Sequence, residues 1–468
     1  MTDPTMEDHD GEPTEDTGID AAQWLEQVDD FLHTSPSGAA REAASRVTAD
    51  VLAAIVAGSR FDDYQHTWST VDLPEGEATV IGTDRTTEAV HAAALNGTAA
   101  IAQEIEEGHN TGGHVGAGIV TGAFASAEEY DVDGEVLVDA VAKTYELCTR
   151  LEYALFTLKA RINEDSPWLI RNPHSTWTTV GPAVATALVK QPSGTHAMDA
   201  FLLGANRSVV SMFDPYREGP PSRNLTAGAS AATGVLIGKL ATSGFRGSAS
   251  TIDRIYEPFE TLVEGGFSAQ FDDLGSRWTI TEAYFKPYPS CRYTHPPLDA
   301  LRDLDDDVSP DEVTAIEVDS YANAVDMDHQ HPTTSTGAKF SIPYVLATYL
   351  HRGIPTFDDF SPEAIADTAV QATADSVTLR LDEEFQQRFP EDWGARVTVV
   401  FEDGRTESAE RRYPRGDYRE PIDDMAFIDR LENTIAVGST ASDHRSIAEA
   451  LLDVRSRSAR AVGKLLRG

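Results

Sequence analysis

The sequence predicts a mainly α-helical protein, a large all-α domain with a smaller α+β module inserted near its C-terminal end. Two observations lead there. Apolar and small residues recur at helical spacing through residues 22–240 and again after Pro421. Between them, residues 276–418 change texture and alternate with period two in several short runs.

Taken in order, residues 22–33 form an amphipathic helix. Residues 38–57 are Ala-rich, with Val47, Val51, Leu52 and Ile55 on one face. Residues 86–107 read as a further long helix, followed by 116–127 and 134–158. Residues 180–189, 195–204 and 227–240 continue the pattern, mostly with small side chains that let helices approach closely. From Trp278 the chain reads as β-like. Residues 313–321 and 376–381 alternate, and residues 397–401 and 405–411 flank Asp403-Gly404, a dipeptide that favours a hairpin turn. Helices are expected at 297–304 and 343–352 inside this segment, and at 425–437 and 444–466 after it. The expected division is an acidic tail at 1–20 without order, a discontinuous helical domain at 21–275 and 419–468, and an α+β module at 276–418.

The charge balance narrows the function. Against 37 Lys and Arg stand 77 Asp and Glu, a formal net charge of -40. Such a surface repels phosphates and anionic headgroups, so neither nucleic acid nor membrane is expected as a partner. The hydrophobic fraction of 41% is ordinary, so the charge is added to a foldable chain. Only seven of the basic residues are lysines. An acidic, Lys-poor surface suits work at high salt, where a Debye length of about 3 Å at 1 M screens self-repulsion. Activity is accordingly expected to depend on salt. Cys148 and Cys291 alone cannot build a thiolate zinc site or an iron–sulfur cluster, and they suggest a reducing cytoplasm.

Two clusters carry chemistry. Residues 285–297 concentrate Lys286, Tyr288, Arg292, Tyr293 and His295 among four prolines, a stiff cationic stretch suited to a carboxylate. The second gathers Glu104, Glu106, Glu107 and His109, then Gly112-Gly113-His114. Histidine suits proton transfer near neutral pH. The Gly116-x-Gly118 spacing lacks the preceding strand that a dinucleotide site needs.

Taken together, Lys286-Pro-Tyr-Pro-Ser-Cys-Arg-Tyr-Thr-His295, Asn96-Gly-Thr-Ala-Ala, Tyr145-Glu-Leu-Cys-Thr-Arg150 and Lys339-Phe-Ser-Ile-Pro-Tyr344 resemble the MmgE/PrpD family, which includes 2-methylcitrate dehydratases and cis-aconitate decarboxylases. The resemblance implies a helical domain, an α+β lid, a homodimer and a site between domain and lid. Carried over by motif, it implies Glu104, His114, His174, Lys286 and Tyr344 as catalytic residues. Arg223, Arg292 and His295 are expected to bind substrate. The sequence departs from the family pattern at Glu104, where the family usually has Asp, and at Asn172-Pro173 before His174, where it has Gly and an aromatic; further, Gly108 stands where the family has Thr, and Arg223 where it has Lys. Arginine keeps the charge but cannot shuttle a proton near neutral pH. The implied activity is a lyase that needs no metal or other cofactor. It would dehydrate 2-methylcitrate, or decarboxylate or isomerise a related small polycarboxylate. A homologue that binds such an acid without turning it over is the non-enzymatic alternative.

Overall fold

The computed structural model describes residues 21–467 apart from 112, 166–178, 207–218, 220, 221, 264 and 305–307. It is mainly helical with two small sheets. Helix α1 (Ala21–Leu32) buries Trp24, Leu25, Val28, Phe31 and Leu32, one face of a 3.6-residue period. Trp24 sits among the rings of Phe201, Tyr256, Phe267 and Phe271. Helix α2 (Gly38–Gly58) starts at Ser37, whose hydroxyl accepts from the Ala40 amide at 3.1 Å. From Val47 to Gly58 every residue is buried, which marks it as the central helix.

Helices α3 (Asp62–Thr70), α4 (Ala89–Ala100), α5 (Val115–Tyr130), α6 (Gly134–Asp165), α7 (Val180–Lys190), α8 (Ala197–Asn206), α9 (Ser222–Ala241) and α10 (Ala249–Tyr256) follow. A short ribbon, β1 (Ala78–Thr79) with β2 (Thr86–Thr87), lies beside α4. Asn96 holds it, donating to the Thr79 carbonyl at 2.9 Å and accepting from the Ile81 amide at 3.0 Å. Helices α4 and α9 meet glycine to glycine. A Cβ at Gly97 would lie 2.9 Å from the Gly228 Cα, and one at Gly228 only 2.1 Å from the Ala94 carbonyl oxygen. Gly228→Val is therefore expected to cost about 3 kcal/mol by overpacking. A lowered urea midpoint at constant m-value measures it.

The insert has its own core. Its sheet runs β4 (Val377–Leu381), β3 (Val313–Ser320), β5 (Ala395–Phe401), β6 (Thr406–Arg411), with β3 and β4 parallel and the other pairs antiparallel. Burial alternates along β5, where Ala395, Val397, Val399 and Phe401 face inward. The β5–β6 turn places Gly404 at φ 84°, a conformation that favours glycine. Helices α11 (His295–Arg302), α12 (Ser335–Lys339) and α13 (Ile342–Arg352) share the insert's core, in which Leu298, Leu301, Ala338, Val345 and Leu346 cluster with Ile316, Val318, Val397 and Val399 of the sheet. Helices α14 (Asp424–Gly438), α15 (His444–Leu452) and α16 (Ala459–Leu465) then return to the first core, burying Phe427, Leu431, Ile435 and Leu451 beside residues of α1 to α8. Among the described residues no helix is long and apolar enough to cross a membrane.

Three local expectations are corrected. Residues 86–107 are not one helix: α4 ends at Ala100, and the acids beyond it are taken by partners from elsewhere in the chain. The stretch from Trp278 is a 3₁₀ turn, Thr279–Glu282. Glu146 of α6 binds the Thr279 amide and, at 2.7 Å, its hydroxyl, which leaves no edge for a strand to pair. Residues 444–466 are two helices, because the chain leaves α15 at Leu452 and Ser458 caps a new start at α16.

Candidate active site

Between the two cores lies a loop of fourteen residues, 101–114, that joins α4 to α5. It buries Glu104, Glu106 and Glu107, all at 2% exposure or less. Buried carboxylates are costly unless paired, and each has a partner. The Glu104 Oε2 lies 3.1 Å from the Lys286 Nζ, and its Oε1 lies 2.7 Å from the Arg223 Nη1. Lys286 also donates to the Glu104 backbone carbonyl at 3.2 Å. His114 stands between two acids. Its Nδ1 makes a short contact with Glu106, and its Nε2 lies 3.8 Å from Glu104 Oε2. Both Glu104 (φ 53°) and His114 (φ 39°) hold left-handed backbone, a costly conformation for such residues that collects at functional sites.

The electrostatics follow from this packing. Burial alone would raise the Glu104 carboxyl, but Arg223, Lys286 and His114 outweigh it and hold the group far below the usual carboxylate range. Glu106 is also lowered: burial opposes its charge, and Lys286 and His114 prevail. Burial works against the Lys286 ammonium, yet Glu104 and Glu106 keep its pKa above the ordinary lysine value. Lys339 goes the other way. Burial brings it down to about 7, Lys286 adds to the effect, and Glu104 and Glu106 only partly offset it. Two lysines with opposed shifts, beside a histidine held by two carboxylates, make a site able to move protons near neutral pH.

A second layer fixes these groups. Arg430 of α14 makes short contacts with Asp50 of α2, with the Ile105 carbonyl and with the Lys286 carbonyl. Asp50 also accepts from the Glu107 amide at 2.6 Å. Glu107 in turn accepts from the Tyr145 hydroxyl at 2.8 Å and the Gly116 amide at 2.6 Å, and burial raises its pKa to about 8. One guanidinium thus ties the central helix, the acid loop and the lysine segment together.

The structure brings Glu104, His114, Lys286 and Arg223 into one cluster. His174 lies outside the described residues. Among the described residues no hydrogen bond or ion pair joins the other three expected residues to the cluster, although Lys286 and Glu104 act on His295 through space. Tyr344 is buried in the lid core, and its hydroxyl donates to the Asp359 carbonyl, which leaves it no proton aimed at the cluster. His295 packs on Tyr288 with ring centroids 5.0 Å apart, and its Nε2 lies 3.2 Å from the Ser290 carbonyl oxygen. Burial pushes its pKa well below the usual histidine value, so it offers no positive charge to a carboxylate. Arg292 donates to Asp417 at 3.0 Å and lies over the Tyr284 ring, 4.1 Å from its centroid. That ring also occupies the space beside Gly108, where a Cβ would meet the Tyr284 Oη at 2.4 Å. The glycine and the tyrosine are therefore one packing solution.

Two members of the cluster, Glu106 and Lys339, lie in motifs that the sequence marks, but it assigns them no role. Glu106 was one acid in a run of three. Lys339 opens the fourth motif and is one of only seven lysines, which is the signal that could have singled it out. Glu104, Glu106 and His114 place ligand atoms within 4.8 Å of one another, a spacing that could hold a metal ion. Lys286 and Arg223 already bring two positive charges to Glu104, which disfavours a dication there.

Comparison with known proteins agrees with this architecture. The chain matches the MmgE/PrpD N-terminal domain over residues 22–270 and the MmgE/PrpD C-terminal domain over residues 288–454. It is 26% identical over 434 residues to a cis-aconitate decarboxylase-like protein of Aspergillus oryzae, covering 83% of this chain and 86% of that one. With both of its domain types matched in order along the sequence, this chain belongs to the MmgE/PrpD family.

Proposed function

We propose that the protein is a cofactor-independent lyase of small polycarboxylates, with dehydration of 2-methylcitrate to 2-methyl-cis-aconitate as its reaction. The observation that carries this reading is the buried cluster in which His114 lies between Glu104 and Glu106 beside Lys286 and Arg223. Dehydration removes a proton next to a carboxylate and expels a β-hydroxyl, so it needs a base, an acid and cations that hold carboxylates and stabilise an enolate-like intermediate. His114 takes the proton, Glu106 orients it through Nδ1 while Glu104 adds its charge on the Nε2 side, and His174 serves as its acid/base counterpart. Lys286 and Arg223 hold substrate carboxylates. Lys286 has three N–H donors and places two on Glu104, which leaves one for a ligand. The working unit is a homodimer in the cytoplasm.

A second reading, decarboxylation of cis-aconitate or a related acid, is favoured by the Aspergillus relative, which is named as cis-aconitate decarboxylase-like. The same cations would stabilise the carbanion left by CO₂. Product analysis at molar KCl on 2-methylcitrate, citrate and cis-aconitate separates the two. Ultraviolet absorbance of a new double bond from 2-methylcitrate, unchanged by chelator, is the expected result. Released CO₂ without that signal would select decarboxylation, and binding without turnover of any acid would overturn the enzymatic reading.

A further inference from the structure

Lys339 ends the short helix α12 in the lid and is 1% exposed. Its Nζ donates to the Gln103 carbonyl at 3.1 Å and makes a second contact with the Gln103 side-chain oxygen. Lys286 holds the next carbonyl, that of Glu104. Two consecutive carbonyls of the acid loop thus each receive a lysine from the insert. The main chain of Lys339 faces the other way: its carbonyl accepts from the Cys291 amide at 2.9 Å, inside the segment that carries Lys286. The next residue, Phe340, presents its ring to Arg223, whose guanidinium lies 4.8 Å from the centroid. Residues 339 and 340 therefore touch all three arms of the cluster: the Glu104 loop, the Lys286 segment and Arg223.

We propose that Lys339 is a positioning residue, which sets the separation of Glu104 and Lys286 by gripping Gln103 with its ammonium and Cys291 with its carbonyl. This rests on the reading of the cluster as the active site. The charged groups that act on Lys339 are Glu104 and Glu106 from the acid loop and Lys286 from its own side. Its pKa of about 7 means that the ammonium, and with it the charge-assisted grip, is lost as pH rises through neutrality. Below that value the grip is intact.

The test uses the full-length protein in molar KCl, with Lys339→Met and Lys339→Arg. Hydrogen exchange of the 101–107 segment, without substrate, is expected to speed up about tenfold in Lys339→Met and to stay near the wild-type rate in Lys339→Arg. Between pH 6 and 8 the wild type should lose protection beyond the intrinsic pH effect, while Lys339→Arg should not. In turnover, Lys339→Met should lower kcat about tenfold with KM within about twofold, the signature of misplaced rather than missing groups. Unchanged exchange in Lys339→Met, or the same pH dependence in Lys339→Arg as in wild type, would overturn the inference. The exchange result does not depend on the substrate. Wild-type protein that turns over none of the acids, yet shows the expected exchange, would overturn the proposed function and leave the positioning role standing.

Discussion

Replacing Lys286 by alanine is expected to abolish turnover and to destabilise the fold together. The ammonium is buried at 1% exposure and holds both the carboxylate and the backbone carbonyl of Glu104. Without it, the ion pairs left to Glu104 and Glu106 among the described residues are those with Arg223 and His114. Breaking a buried pair from one side costs about 3–5 kcal/mol, because the other charge stays behind. The loss of a donor to a developing anion lowers kcat by about 10³. A double variant, Lys286→Ala with Glu104→Gln, separates the two effects. It removes the stranded charge, so the denaturant midpoint should recover much of its loss while turnover stays absent. Full activity in Lys286→Ala would remove this lysine from the site altogether.

His114→Ala is expected to act on chemistry far more than on folding. The side chain is 14% exposed at the edge of the cluster, whereas the acids beside it are almost fully buried. Its removal takes away a proton carrier, a loss of about 10² to 10⁴ in kcat. It also takes away one of the groups that keep Glu104 and Glu106 low. Both carboxylates therefore move up, toward their unfolded values. A carboxyl with a depressed folded pKa contributes stability that is present above its unfolded pKa and lost as pH falls through the folded one. In His114→Ala the window between the unfolded and folded values narrows, so the two carboxylates contribute less stability and acid unfolding shifts to higher pH. Rate measurements at saturating substrate, with an acid titration of the fold, check both halves. An unchanged kcat would sink the assignment of His114 as the base.

Much of the scaffold was legible because its signals are local. Alternation in residues 313–321 and 397–401 reports which face of a strand is buried, and Asp403-Gly404 reports a turn whose backbone favours glycine. The helical spacing of Trp24, Val28 and Phe31 reports a buried stripe in the same way. Signals failed where a distant partner overrode them. The acids after Ala100 are good helix formers, yet Lys286, Arg223 and Arg430 draw their loop into irregular backbone across long stretches of sequence. Trp278-Thr-Ile-Thr has strand composition, and Glu146 of α6 ties Thr279 into a 3₁₀ turn instead.

The sequence by itself determined the fold class, most of the long helices, the four strands of the insert's sheet, the family likeness and the importance of the scarce lysines. Its motifs also marked Glu104, His114, Lys286 and Arg223, the four residues that come together. Only the tertiary structure decided which members of a motif face the cluster. In Lys339-Phe-Ser-Ile-Pro-Tyr344 it is the lysine that reaches the acid loop, while the tyrosine hydroxyl is spent on Asp359 inside the lid. In the segment from Lys286 to His295, Glu104 and Glu106 keep the lysine charged against its burial, while burial beside Arg292 and Lys286 pushes the histidine's pKa down. The physical reason is the same in both cases. A motif specifies residue type and spacing, but direction and ionisation depend on the groups that packing brings alongside.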